Sequence, residues 1–319
     1  MKIHASSFEK SGWTPEFSAL ICPVFENLPV HDSQGNGRVI ETARKLHALG
    51  VISAKKNHCY YLATPGVNVA GVLFAGMGSR ETLSPETARC AGGAAQPLLA
   101  ANRIHTLIIP QPGAEAFWPH FIEGLLLRQY AYNAFKAKIP ATERPVTLEH
   151  VHVVAEDQSE LSQLVQTIDT VTNRAANTNW ARDLANCPPN TMTPMRLAKA
   201  AQKLAQSHGC LCKIHKPADM KKLGMEALLA VAAGSEAPPR LIVLERRYTD
   251  GAPVVALVGK GVTFDSGGIS IKPSQGMHEM KFDMCGAAAV LGAFKTLVES
   301  DAPVNLVAVV PAVENLPGP

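Results

Sequence analysis

From Val254 to Ala289 the chain reads VVALVGKGVTFDSGGISIKPSQGMHEMKFDMCGAAA, and no other stretch limits the fold as tightly. Its first residues are continuously apolar, the pattern of a strand buried on both faces of a parallel sheet. The run stops at Gly259-Lys260-Gly261, and Lys260, Asp265, Lys272 and Asp283 follow. Glycines at 259, 261, 267 and 268 let the backbone turn sharply and approach a ligand. In open α/β sheets, ligands bind beyond the carboxyl ends of the strands. The four charges are set among Val262, Phe264, Ile269, Ile271, Met280, Phe282 and Met284, so they read as enclosed rather than as a solvated run. Enclosed charges need partners or a metal. Two carboxylates suit hard cations such as Mg²⁺ or Mn²⁺, and also Zn²⁺. A lysine ligates a metal only when neutral, and a nearby dication disfavours its protonated form. A structural ion-pair network is the alternative reading of the same residues.

The N-terminal half alternates strand and helix signals, which argues for an α/β domain with a largely parallel sheet. Strand-like runs are Gly71–Gly76, His105–Pro110 and Val146–Ala155; helix-like runs are Pro85–Asn102 and Phe121–Ala137. A long helical pattern runs from Ser159, with Ser159 as cap followed by Glu160, to Leu184. Asn186-Cys187-Pro188-Pro189-Asn190 breaks it, and Thr193-Pro194 opens another helix to Ser207. Further strands are expected at Leu211–His215, Ala227–Ala232, Leu241–Arg246, Val254–Val258 and Val304–Val310, with helices at Met220–Gly224 and Gly286–Val298. The division that follows is an N-terminal α/β domain over 1–158, a linker helix over 159–184 and a second domain over 185–319.

Other candidates weigh toward packing or surface roles. Gly76-x-Gly78 lacks the third glycine of a dinucleotide fingerprint and reads as a tight strand-to-helix turn. His150-x-His152 points two imidazoles one way from a strand, but no third ligand stands nearby in sequence. Cys210-x-Cys212 on a strand is poorly placed for a disulfide. Cys285 opens a helix without a placed histidine partner and reads as helix packing. Trp180 is expected to pack at the domain junction.

The seven cysteines are scattered and odd in number, which fits reduced thiols in a cytoplasmic protein. The N-terminus has no apolar signal core, and no run is long enough to span a membrane. Thirty Lys+Arg against 27 Asp+Glu is too balanced to point to nucleic acid.

Gly259-Lys260-Gly261-Val262-Thr263-Phe264-Asp265-Ser266-Gly267-Gly268, Lys272-Pro273, Met280-Lys281-Phe282-Asp283-Met284-x-Gly286-Ala287-Ala288 and Glu314-Asn315-Leu316-Pro317 together resemble the leucyl (cytosol) aminopeptidase family. Asn186-Cys187-Pro188-Pro189-Asn190-x-Met192-Thr193-Pro194 is similar to the stretch after that family's linker helix. The resemblance implies an α/β/α catalytic domain with a central mixed sheet, and a metal-dependent exopeptidase that releases leucine-like N-terminal residues from peptides. It implies two divalent ions, Mn²⁺ or Zn²⁺, with Lys260, Asp265 and Asp283 as ligands and Asp265 bridging. Lys272 would stabilise the oxyanion, Met280 would line the substrate pocket, and bicarbonate would serve the complete site. The implied assembly is a homo-hexamer. DNA binding, known for some members, is unsupported by the charge balance.

The family's remaining metal carboxylates belong to an Asn-Thr-Asp-Ala-Glu-Gly-Arg motif expected a few dozen residues after Glu314-Asn315-Leu316-Pro317. The chain therefore reads as an N-terminal fragment of such an enzyme, with its catalytic domain truncated. On that reading Val304–Val310 is a central parallel strand left with an open edge. The rival readings are an inactive fragment serving as an assembly or binding module, and a nucleotide-binding N-terminal domain resting on fold analogy.

Overall fold

The apolar runs and helix signals of the first half build a sheet with helices on both faces, as expected for a largely parallel α/β domain. The computed structural model describes residues 1–7, 15–26, 37–64, 69–110, 117–137, 146–155 and 161–318. Two compact units divide the chain, Met1–Ala175 and Ala176–Pro319.

In the first unit the elements are β1 (Lys2–Ser7), β2 (Ser18–Phe25), α1 (Gly37–Ala48), β3 (Cys59–Ala63), β4 (Gly71–Gly78), α2 (Pro85–Ala101), β5 (Thr106–Pro110), α3 (Trp118–Arg128) and β6 (His150–Ala155). Helix α4 (Leu161–Asn186) begins in this unit; the expected cap residues Ser159 and Glu160 lie outside the described residues. The strand order is β1-β6-β5-β2-β4-β3, parallel except for β3 against β4. Successive side chains of a strand point to opposite faces. Ile21 and Leu73 thus enter one core with residues of α2 and α3, while Cys22, Val72 and Phe74 enter another with Ala43 of α1.

Three expectations change here. Gly76 lies inside β4 rather than at its end, and a Cβ there would stand 2.2 Å from the Lys55 carbonyl oxygen. Close backbone packing, not a phosphate cradle, is what this glycine serves. Helix α3 stops at Arg128 instead of Ala137, where the Gln129 side chain turns to donate to the Leu148 carbonyl at 3.1 Å. The histidine pair on β6 does gain a third imidazole, because β1 pairs with β6 in a register that sets His4 opposite His152.

In the second unit the elements are α5 (Pro194–Ser207), β7 (Leu211–His215), α6 (Pro217–Lys222), α7 (Glu226–Val231), β8 (Arg240–Arg246), β9 (Val254–Val258), β10 (Gly261–Asp265), α8 (Cys285–Glu299) and β11 (Asn305–Asn315). A 3-10 segment spans Met277–Met284. Helix α5 opens as its sequence predicts: Thr193 Oγ1 accepts from the Arg196 amide at 3.3 Å, and Pro194 takes the first turn. The sheet is mixed, as expected. Strand β11 is antiparallel to β8 and parallel to both β9 and β10, and β7 pairs antiparallel with β8.

The stretch Ala227–Ala232 is helical, not a strand. Its Glu-Ala-Leu-Leu-Ala composition favours helix and holds one β-branched residue, Val231. Strand β11 has no open edge: β8 occupies one side, while β9 and β10 run end to end along the other. The outer edge therefore falls on β9, and this strand is not buried as its sequence suggested. Val254, Val255 and Val258 are 59%, 45% and 71% exposed. Apolar continuity reported that a strand forms here but not which side is covered.

No helix among the described residues is long and apolar enough to cross a membrane. All seven cysteines are free thiols, and burial pushes Cys22 and Cys59 up to about 12.

Candidate metal centre

Strands β9 and β10 follow one another along β11 with only Gly259-Lys260 between them. The Gly259 amide donates to Val309 at 3.1 Å, and the Lys260 carbonyl accepts from the Ala287 amide at 2.8 Å. A Cβ on Gly259 would stand 2.4 Å from the Gly286 carbonyl, so the kink and the start of α8 fit only without a side chain. This contact fixes where Lys260 leaves the sheet. The expected ligand edge thus lies at a kink and at the end of β10, not beyond a single strand.

Lys260 Nζ lies 2.8 Å from Asp283 Oδ1 and 2.7 Å from Oδ2. The Lys260 side chain is 59% exposed and that of Asp283 21%. Asp283 Oδ2 is closed to solvent and lies in ionic contact with the Lys260 ammonium. Asp283 lies on the 3-10 segment, which packs against β10.

Asp265 closes β10. Its Oδ1 accepts from the Gly267 amide at 3.0 Å and the Asn315 side-chain amide at 2.7 Å; its Oδ2 accepts from Lys272 Nζ at 2.6 Å. Burial alone would raise its pKa. The Lys272 ammonium, the Gly267 amide and Asn315 outweigh burial and hold the carboxyl at about 2. Lys272 Nζ also stands 3.1 Å from Met280 Sδ. The five residues singled out in the sequence therefore form two clusters, Lys260 with Asp283, and Asp265 with Lys272 and Met280. They are paired, as the ion-pair reading requires, and only partly enclosed. Ile269 and Ile271, read as a wrapping, are 97% and 62% exposed.

Asn315 was not assigned a role from sequence. It reaches Asp265 because β10 and β11 are parallel and end together, with Asp265 opposite Asn315. Ser266 ties the same ends through its amide and hydroxyl, both donated to the Asn315 carbonyl at 2.9 and 2.8 Å. A polar residue at the carboxyl end of an apolar strand was the available signal. Cys285 is exposed at the first turn of α8, not packed, and burial together with the Asp283 charge raises its thiol pKa.

Two carboxylates, each paired with a lysine amine, thus stand on packed segments at and beside the carboxyl end of β10. Residues 179–319 match the catalytic-domain model of the cytosol aminopeptidase family, and residues 23–138 match its N-terminal-domain model. The chain belongs to the cytosol aminopeptidase family. It is 37% identical to a protein of Nitrosococcus oceani named "Probable cytosol aminopeptidase", over 98% of this chain and 65% of that one. A protein of the same name from Halorhodospira halophila is 41% identical over 79% of this chain and 52% of its own. Among solved structures, the bottromycin maturation enzyme BotP in complex with Mn superposes with a TM-score of 0.75 at 28% identity, covering 95% of this chain and 60% of that one. The chain thus spans between half and two thirds of the length of these relatives.

Proposed function

We propose that the corner formed by Lys260, Asp265, Lys272, Met280 and Asp283 is the part of a metallo-aminopeptidase active site that this chain supplies. One observation carries this reading. A carboxylate held ionised, Asp265, and a second carboxylate with one oxygen sheltered from water, Asp283, each paired with a lysine, occupy packed neighbouring segments. Both are suited to a divalent cation.

Asp265, Asp283 and Lys260 would hold the ions, Lys260 once its ammonium has given up its proton. Bound there, divalent ions supply an acidified water and a polarised peptide carbonyl. Asn315 and the Gly267 amide keep Asp265 oriented through hydrogen bonds to one oxygen, leaving the other for Lys272 or a cation. Lys272 is the electrophile: its Nζ brings positive charge to where the substrate carbonyl oxygen becomes anionic, an effect of about 2.7–4 kcal/mol in comparable sites. Met280 offers an apolar wall beside Lys272 for the side chain of the residue released. The substrates are peptides with leucine-like N-terminal residues. Mn²⁺ or Zn²⁺ as the ions, bicarbonate at the site, a homo-hexamer and a cytoplasmic setting complete the proposal.

Titration with Mn²⁺, coupled to hydrolysis of a leucyl chromogenic amide, tests it. Mn²⁺ uptake lost in both Asp265→Ala and Asp283→Ala, with turnover lost in parallel, supports the assignment. Uptake unchanged in both variants sinks it.

A further inference from the structure

We propose that His4, His150 and His152 form a second metal site, on the sheet of the first unit, for one borderline divalent cation of the Zn²⁺, Co²⁺, Ni²⁺ or Cu²⁺ class. Nothing in the aminopeptidase reading uses these residues. All three lie outside the two stretches that match the family models, 23–138 and 179–319.

Strand parity explains how they meet. His150 and His152 are two apart on β6 and so share a face. The parallel register sets Lys2 opposite His150 and His4 opposite His152, which places His4 on the same face. One ligand nitrogen from each ring lies within 4.8 Å of the other two. His4 Nε2 and His150 Nδ1 are 3.1 Å apart. Metal–imidazole bonds of 2.0–2.1 Å in a tetrahedral shell place ligand nitrogens about 3.3 Å apart. The first pair is close to that spacing, and the third nitrogen lies within 4.8 Å of both.

The rings are stacked, His4 against His152 at 4.7 Å and against His150 at 5.3 Å between centroids. Each ring is half-buried, so a cation can reach them without opening the sheet. Three protonated imidazoles in this space would repel one another. Burial, and then the neighbouring histidines, lower the pKa of His4 and His152, with Lys2 adding to the effect on His4. Both effects favour the neutral form of His4 and His152, the form that binds metals. The opposing charge is the Lys2 ammonium, which is exposed and screened by solvent.

Imidazole nitrogen without a carboxylate selects borderline ions over Mg²⁺ or Mn²⁺. That separates this site from the carboxylate corner of the other unit. Its physical consequence is local. Among the described strands β1 lies at the sheet edge and pairs only with β6, and a shared cation would clasp residues 4 and 150, which are 146 positions apart in sequence.

The test is Co²⁺ titration of the full chain, read by visible absorption and by bound metal per chain. A chain carrying Asp265→Ala and Asp283→Ala should still bind one Co²⁺. His4→Ala and His152→Ala should each weaken that binding more than about tenfold, since loss of even an outer partner of a ligand costs 10–100-fold. Circular dichroism checks their fold, and His4→Gln serves where alanine disturbs β1. On the unaltered chain, Co²⁺ should protect these three histidines from diethyl pyrocarbonate, mapped by mass spectrometry. Co²⁺ binding that vanishes with Asp265 and Asp283, or that survives both histidine substitutions unchanged, overturns the proposal.

Discussion

Lys272→Ala should move cation binding and turnover in opposite directions. In the structure Lys272 Nζ lies 2.6 Å from Asp265 Oδ2, with its side chain 36% exposed. The ammonium occupies the oxygen that a cation would use, so the two compete. A hydrogen bond to a charged group is worth about 1.5–3 kcal/mol when shielded. At this exposure solvent screening brings it to about 1 kcal/mol. Removing the competitor should therefore tighten Mn²⁺ binding about fivefold, by the rule that 1.4 kcal/mol is a factor of ten. Turnover loses a positive group aimed at the developing oxyanion, a fall of roughly 10²–10³ in kcat. Calorimetric Mn²⁺ titration and hydrolysis of a leucyl chromogenic amide, run on the same preparation, read the two quantities. A parallel loss of both would show that Lys272 only scaffolds Asp265, and unchanged kcat would remove the electrophile role altogether.

Two further outcomes concern stability of the first unit. Glu123, 5% exposed, accepts from Arg174 at 2.7 and 3.0 Å and from Arg89 at 3.0 Å. Burial would raise its pKa, but Arg174 and then Arg89 outweigh that and hold it below the ordinary glutamate range. A depressed folded-state pKa gives stability that is present above the unfolded value near 4.5 and lost as pH falls through the folded one. Glu123→Gln should cost about 2–3 kcal/mol at pH 7 by urea unfolding, with the gap to the unaltered chain narrowing below about pH 4. A gap that stays constant from pH 7 to pH 3 contradicts the charge argument. Gly124 packs α3 onto α2 so closely that a Cβ would stand 2.0 Å from the Arg89 carbonyl oxygen. Gly124→Ala should cost about 3 kcal/mol or more, because backbone rather than a flexible side chain must move; a melting temperature within about a degree of the unaltered chain would refute the close approach.

What could be read from the sequence is what one segment carries by itself. Lys260, Asp265, Lys272 and Asp283 stand within a single run, and its strand, glycines and turn residues fix their spacing before any distant partner is known. The Thr193-Pro194 helix start was legible for the same reason, since a cap bonds an amide three residues on. What escaped depends on strands that are far apart in sequence. Val254–Val258 and a covered core strand look alike, because an apolar run is silent about how many neighbours a strand has. Ala227–Ala232 is short and apolar enough to suit either helix or strand. Asn315 and His4 were missed because each acts through a parallel pairing, β10 with β11 and β1 with β6, whose register no local pattern sets.

The same distinction says what an isolated piece of the site would lack. A peptide spanning Val254–Ala289 keeps the lysine and aspartate spacing and the Gly267 amide, yet it has no β11. Asp265 would then lose the Asn315 amide and the two Ser266 bonds that join the strand ends. Its carboxylate would keep Lys272 and the Gly267 amide but lose the bond that ties it to the neighbouring strand. That share of the hold on Asp265 is a property of two strands ending together, and the motif supplies only one of them.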